Sequence, residues 1–384
     1  MTIEASPAIS LADNRVRRQR GVLADGREIL YYDDTEPYLS GDASRVTLDH
    51  RRLPPAGGGS TLRLDMLTGE WVAIASHRNT RTFLPPADAC PLCPTRDGGF
   101  PSEIPSDTYD VVVFENQFPS LSTRPVETPT LVDGEPLWPV RPGLGRCDVV
   151  CFTSDHNSSF ASLSQSRVRT VIEAWADRTA TLSEMPDVHQ VFVFENRGQE
   201  IGVTLHHPHG QIYGYPFLPP RSAQLQHQAR KYTRATGGHL LADLLAAEKR
   251  VGTRVVATGE YWTAYVPAAA RWPVEVHLAP HRDLPDLAAL DEGEREELSL
   301  LYPELLRRLD RFFEGVDAAP YIAGWHQAPV DEERELGRLH LQLFSMLRAP
   351  GKLKYLAGSE SGVGAWINDI TPESIAQRLR DVAS

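Results

Sequence analysis

His207-Pro208-His209-Gly210-Gln211 places two imidazoles and one carboxamide within five residues. The runs on either side are rich in β-branched and aromatic residues: Gln190-Val191-Phe192-Val193-Phe194 before it and Ile212-Tyr213-Gly214-Tyr215 after it. Both are expected as strands. Alternate side chains of an extended segment share a face, so His207, His209 and Gln211 are expected to point the same way. Such a row suits a metal, a phosphate or a nucleophile. Gly210 permits close approach of the backbone to a ligand.

The surrounding chain has 384 residues, 41% of them hydrophobic, enough for one large or two medium domains with a sizeable core. Its 30 prolines and 28 glycines imply many loops and turns. A net charge of -12 argues against nucleic acid as the main partner. The basic run Arg15-Val16-Arg17-Arg18-Gln19-Arg20 is expected as a solvated N-terminal arm, with a phosphate-binding arm as the alternative. No apolar stretch reaches the roughly 18 residues that span a membrane, and Met1-Thr2-Ile3-Glu4-Ala5 lacks a signal-peptide pattern. A cytoplasmic location is expected. In a reducing compartment, Cys90-Pro91-Leu92-Cys93 suggests metal binding before a disulfide, with free thiols as the alternative. Cys147 and Cys151 are expected to pack as small hydrophobes.

Residues 1–60 are polar and loop-rich and end in Gly57-Gly58-Gly59, which suggests a partly flexible arm. Short β-rich runs follow at Val72-Ala73-Ile74, Asp110-Val111-Val112-Val113-Phe114 and Asp148-Val149-Val150-Cys151-Phe152. Val168, Val171, Ile172 and Trp175 keep the spacing of one helical face. A similar order recurs later. The strand Val274-Glu275-Val276-His277-Leu278 precedes a helical pattern at Leu298, Leu301, Tyr302, Leu305, Leu309 and Phe312, which Pro303 is expected to kink. Strands at Tyr321-Ile322-Ala323 and Leu339-His340-Leu341-Gln342-Leu343-Phe344 complete it. Strand-helix-strand-strand, seen twice, predicts an internal duplication. The boundary is expected near Pro219-Pro220, separating domains 61–219 and 220–384.

Preceded by Phe194-Glu195-Asn196-Arg197-Gly198, the motif at 207–211 resembles the transferase branch of the histidine-triad superfamily, the galactose-1-phosphate uridylyltransferases. The hydrolases of that superfamily carry a third histidine where this chain has Gln211. The resemblance runs over roughly residues 62–380. It implies an α+β fold of two tandem histidine-triad-like units, an antiparallel sheet flanked by helices. It implies transfer of UMP from UDP-glucose to galactose 1-phosphate by a ping-pong mechanism, with a uridylyl-histidine at His209. Gln211 would donate its amide hydrogen to a phosphate oxygen without offering a base to water. Thr204, Arg78 and Arg81 match phosphate- or substrate-contacting positions, Asn116 a nucleotide contact and Asn196 a sugar contact. Gln117 stands where a common family version has Asp. Lys354 and Glu360 match the hexose-phosphate segment, whereas Ser359 and Trp366 depart from its usual Tyr and Gln. In the family that segment reaches the neighbouring subunit, which implies a homodimer.

The resemblance also supplies a ligand set, Cys90, Cys93, His156 and His207. Two thiolates and two imidazoles leave no open position, so the zinc would be structural. Some members carry a second, iron site. Here one of its C-terminal histidines is replaced in His340-Leu341-Gln342, and its acidic ligand falls near Gln224 or Leu225. No iron is expected, and His326 and His340 are expected to be hydrogen-bonded structural residues. The competing enzyme reading is a related nucleotidyltransferase or phosphorylase acting on another nucleotide sugar such as ADP-glucose. A non-catalytic nucleotide-binding protein is the reading from another class.

Overall fold

The computed structural model describes residues 9–383 except 57–59, 81–83, 125 and 332. The first strands are β1 (Ile9–Leu11), β2 (Val16–Val22) and β3 (Glu28–Asp33). The basic run therefore lies mostly in a strand rather than in a solvated arm. Val16 is buried, Arg18 pairs with Asp177 at 2.7 Å, and Arg17 donates to the Tyr38 carbonyl at 3.2 Å. Val16 and Arg18, two residues apart, share the strand face toward Gln165–Ser183, where Val16 enters the core and the Arg18 head reaches Asp177. The glycine run 57–59 lies outside the described residues.

Strands β4 (Thr61–Asp65), β5 (Glu70–Ile74), β6 (Val111–Glu115), β7 (Val140–Pro142) and β8 (Arg146–Cys151) follow. Helix α1 (Gln165–Ser183) starts where the Ser164 hydroxyl accepts from the Arg167 amide. Then come β9 (Gln190–Arg197), β10 (His209–Tyr215), and helices α2 (Pro220–Thr236) and α3 (Leu240–Val251). Next come β11 (Val255–Thr258), β12 (Trp262–Tyr265), β13 (Val274–Pro280), α4 (Glu292–Phe312), β14 (Tyr321–His326) and β15 (His340–Ser345), then a small ribbon of β16 (Leu347–Ala349) and β17 (Lys352–Leu353), and α5 (Pro372–Asp381). A capping box of Asp291 and Glu294 opens α4, and the helix continues through Pro303.

Twelve strands form one antiparallel sheet in the order β1-β2-β3-β6-β8-β10-β9-β14-β15-β13-β12-β11. Strands β4, β5 and β7 form a separate three-stranded sheet. The duplication is visible in the large sheet. β8-α1-β9-β10 and β13-α4-β14-β15 each place their last strand in the middle, as β8-β10-β9 and β14-β15-β13. The two units join through β9 and β14, with Val193 opposite Trp325 and Arg197 opposite Tyr321.

Helices α1 and α4 share one core with the sheet. Val168, Ile172 and Trp175 meet Leu298, Tyr302 and Leu305, together with Val193, Ile212, Trp325 and Leu341 from the strands. The Trp175 ring lies near Phe152, Phe160, Tyr302 and Trp325. Truncating such a buried ring to alanine costs about 3–5 kcal/mol. Residues of α2 and α3 lie against His326 and His340. Among the described residues, no helix is long and apolar enough to cross a membrane.

Candidate active site

Strand β10 begins at His209 and lies between β8 and β9. Gln211 stands opposite Val149 on one side and Phe194 on the other. The expected alternation holds for His209 and Gln211, which both line a cavity of 480 Å³. It does not extend to His207, which precedes the strand and turns its ring to Cys93. Gly210 is required for a different reason from the one expected. A Cβ there would meet the Phe152 ring at 2.8 Å and the Phe194 carbonyl at 2.9 Å, so the close approach is to the protein itself.

The His209 Nδ1 lies 2.8 Å from the His207 carbonyl. A carbonyl only accepts, so Nδ1 carries the hydrogen, and Nε2 of the neutral ring keeps its lone pair. Burial holds the His209 pKa below the ordinary histidine value, opposed by that hydrogen bond. The ring is therefore neutral and nucleophilic near pH 7. Tyr213, two residues beyond Gln211, donates to the Gln211 Oε1 at 3.0 Å. That bond orients the carboxamide and leaves its NH₂ as a donor.

Arg78, Asn116, Asn196 and Thr204 line the same cavity. Arg78 stands on the 3₁₀ turn Ser76–Thr80 and donates to the Phe118 carbonyl. Asn116 Oδ1 accepts from the Phe118 amide at 2.8 Å. Arg81 lies outside the described residues. Lys354 and Glu360 are not among the cavity-lining residues. Lys354 is buried, donates to the Arg271 carbonyl at 2.8 Å and to the Ile367 carbonyl, and lies 3.6 Å from Glu360. Sequence reasoning missed Tyr213, Glu103 and the apolar walls Leu92, Phe114, Phe118 and Val149. Tyr213 was findable, because the same alternation puts it on the Gln211 face.

Cys90, Cys93, His156 and His207 gather with their donor atoms within 4.8 Å of one another. Cys93 Sγ lies 3.4 Å from His156 Nδ1 and 3.5 Å from His207 Nδ1. The far nitrogen of His207 lies 2.8 Å from the Thr153 carbonyl, so it donates there, and Nδ1 keeps its lone pair for the cluster. Burial and the neighbouring Cys90 push the Cys93 thiol up to about 12. A thiolate there needs a cation beside it. Cys147 and Cys151 are buried in apolar clusters, as small hydrophobes. His326 and His340 stack at 5.0 Å between centroids, with His340 Nδ1 3.0 Å from the Arg338 carbonyl and Nε2 3.3 Å from Gln342.

The profile of the galactose-1-phosphate uridyl transferase N-terminal domain matches residues 42–219, and that of the C-terminal domain residues 225–384. A galactose-1-phosphate uridylyltransferase of Streptomyces lividans is 46% identical over 375 residues, 94% of this chain and 96% of that protein. A solved uridylyltransferase superposes with a TM-score of 0.74 at 31% identity, covering 84% of this chain and 98% of its own. An ADP-glucose phosphorylase from Arabidopsis thaliana shares the fold at 23% identity, with a TM-score of 0.64 over 85% of this chain and all of its own.

Proposed function

The chain belongs to the galactose-1-phosphate uridyl transferase family, and we propose that it moves UMP from UDP-glucose to galactose 1-phosphate through His209. Nε2 of His209 attacks the α-phosphorus of UDP-glucose. The N–P bond forms as the P–O bond to glucose 1-phosphate breaks, and glucose 1-phosphate leaves with that electron pair. A phosphate oxygen of galactose 1-phosphate then attacks the same phosphorus. The N–P bond breaks, UDP-galactose leaves, and the imidazole is neutral again. The observation that carries this reading is the 2.8 Å bond from Nδ1 to the His207 carbonyl in a ring bordering the cavity. It leaves the other nitrogen unprotonated and supports the positive charge that the ring gains as phosphorus bonds. Gln211 and Arg78 supply donors for the phosphate oxygens. Asn116 and the walls Leu92, Phe114 and Val149 suit the nucleoside, and Asn196 the sugar.

The metal is read as zinc. With Zn–S near 2.3 Å and Zn–N near 2.05 Å, a tetrahedral ion separates sulfur from nitrogen by about 3.5 Å. The Cys93 separations of 3.4 and 3.5 Å agree. Such a closed site ties the loop of Cys90 and Cys93 to the residues just before His209. The homodimer reading rests on the C-terminal segment, where Tyr355 and Val363 are 73% and 80% exposed. Among the described residues, neither Lys354 nor Glu360 lines the cavity of its own subunit, which suits a neighbour's site. A cytoplasmic location fits cysteines that form no disulfide among the described residues.

Intact mass after incubation with UDP-glucose alone tests the reading. A uridylyl gain in the wild type that is absent from His209→Ala is the expected result. An adenylyl gain with ADP-glucose instead would replace the donor, and no gain with any nucleotide sugar would sink the covalent scheme.

A further inference from the structure

We propose that Arg27 is a positioning residue for the nucleotide side of the cavity, holding the Glu103 carboxylate out of it. Arg27 precedes residue 42, where the match to the family's N-terminal domain begins. It sits in the turn between β2 and β3, closed by the Leu23 amide donating to the Arg27 carbonyl at 2.8 Å. Its side chain is 1% exposed and has a partner for each arm of the guanidinium. Nε pairs with Asp25 at 2.6 Å, Nη1 donates to the Glu115 carbonyl at 2.9 Å, and Nη2 lies 2.6 Å from Glu103 as an ion pair without hydrogen-bond alignment.

One of those partners belongs to the cavity wall and a second adjoins it. Glu103 lines the cavity, and Glu115 directly precedes Asn116, which lines it too. The other Glu103 oxygen is taken by Arg51 at 2.6 Å, and Arg51 is itself held by Asp49. Leu23 and Ile29, on either side of the turn, share an apolar cluster with Leu92, Phe114 and Val149, three more wall residues. The N-terminal hairpin thus braces the wall by packing and by charge.

Removing Arg27 leaves Asp25 and Glu103 short of a cation in a dry setting, which a carboxylate resists. The cavity that Glu103 lines offers it a solvated volume. A Glu103 carboxylate turned into it meets the phosphates of the nucleotide, like charge against like charge. The deficit therefore falls on nucleotide binding, and it disappears when the carboxylate is made neutral.

The inference rests on the nucleotide reading of the cavity, so binding and chemistry are tested separately. UMP affinity is measured by calorimetry, and uridylyl-adduct mass is taken on the same preparations. Arg27→Met is expected to weaken UMP at least tenfold and to raise the KM for UDP-glucose alike. The kcat/KM for galactose 1-phosphate, read after the uridylyl group is attached, should change less than threefold. Arg27→Met with Glu103→Gln should bring UMP affinity back to within threefold of Glu103→Gln alone. A merely structural role predicts no such rescue. Unchanged UMP affinity, or a double variant as weak as Arg27→Met, overturns the inference. If Arg27→Met does not fold, Arg51→Met frees the other oxygen of the same carboxylate and is judged by the same two results. Absence of the adduct in a wild type that still binds UMP overturns the transfer chemistry alone.

Discussion

β10 and β15 carry the same pair of functional groups at the same places. Each opens on a histidine, His209 or His340, followed two residues later by a glutamine, Gln211 or Gln342. Each histidine has its Nδ1 within 3.0 Å of the carbonyl two residues back, and burial lowers the pKa of both, His340 to about 4. The difference lies in what surrounds them. Gln211 is oriented by Tyr213 and borders 480 Å³ of open cavity. Gln342 turns onto His340 itself, the His326 ring stacks on it, and residues of α2 and α3 leave a space of only 30 Å³. An imidazole and a carboxamide on one strand face are therefore insufficient. Chemistry needs a free nitrogen lone pair and room for phosphorus in front of it.

The largest effect should separate the two histidines outright. His209→Ala is expected to lower transfer by about 10⁴–10⁶-fold, whereas His340→Ala should stay within about threefold while losing stability. Adduct formation rates for both variants measure this, and a hundredfold slower adduct in His340→Ala would break the contrast. Metal removal should come next, because the proposed tether serves only the first unit. A strong chelator is expected to cost several kcal/mol and to lower Tm by about 10 °C. Hydrogen exchange should rise first around Cys90–Cys93 and His156, before β13–β15. Protein that contains no metal as purified would remove the tether from the comparison.

The glutamines should differ less steeply. Gln211→Ala is expected to slow transfer about 10²–10³-fold, and Gln342→Ala less than about twofold, as steady-state kcat would show. The smallest effect concerns the seam between the units. Glu195 on β9 accepts from Tyr321 on β14 at 2.8 Å, and burial raises its pKa to about 7 from an ordinary 4.5. The raised value means that the folded state favours the protonated acid. Its contribution is complete below about pH 4.5 and is lost as pH rises through 7. Relative to Glu195→Gln, the wild type should lose up to about 3 kcal/mol between pH 4.5 and 8. Urea unfolding of both proteins at the two pH values checks this, and a gap that does not change with pH contradicts it.

Much of this was legible because periodicity reports on faces. The alternation in β9, β10, β13 and β15 and the helical spacing at Val168–Trp175 correspond to real elements, and the repeated order corresponds to a repeated topology. Cys90-x-x-Cys93 was legible as a metal-binding pair because two thiolates at that spacing have few other uses in a reducing compartment, whereas His156 and His207 entered the ligand set only through the family resemblance. The arm was misjudged for a physical reason. Arginines at 15–20 look solvated when counted, yet Arg18 finds Asp177 from α1, a partner 159 residues away. The buried clamp of Arg27, Glu103 and Arg51 was invisible for the same reason, since ion pairs across long separations leave no local pattern.

Which reactive groups the chain holds can be read from its covalent formula alone: the imidazole of His209, the carboxamide of Gln211, and the four donors Cys90, Cys93, His156 and His207. Strand periodicity suffices to put His209 and Gln211 on one face, whereas His207 and the other metal donors are gathered from separate loops. Which of the two His-x-Gln strands is open for chemistry was decided only by the tertiary structure. There residues of α2 and α3 pack beside His340, while His209 and Gln211 border a cavity, because access depends on what packs in front of a strand and not on the strand.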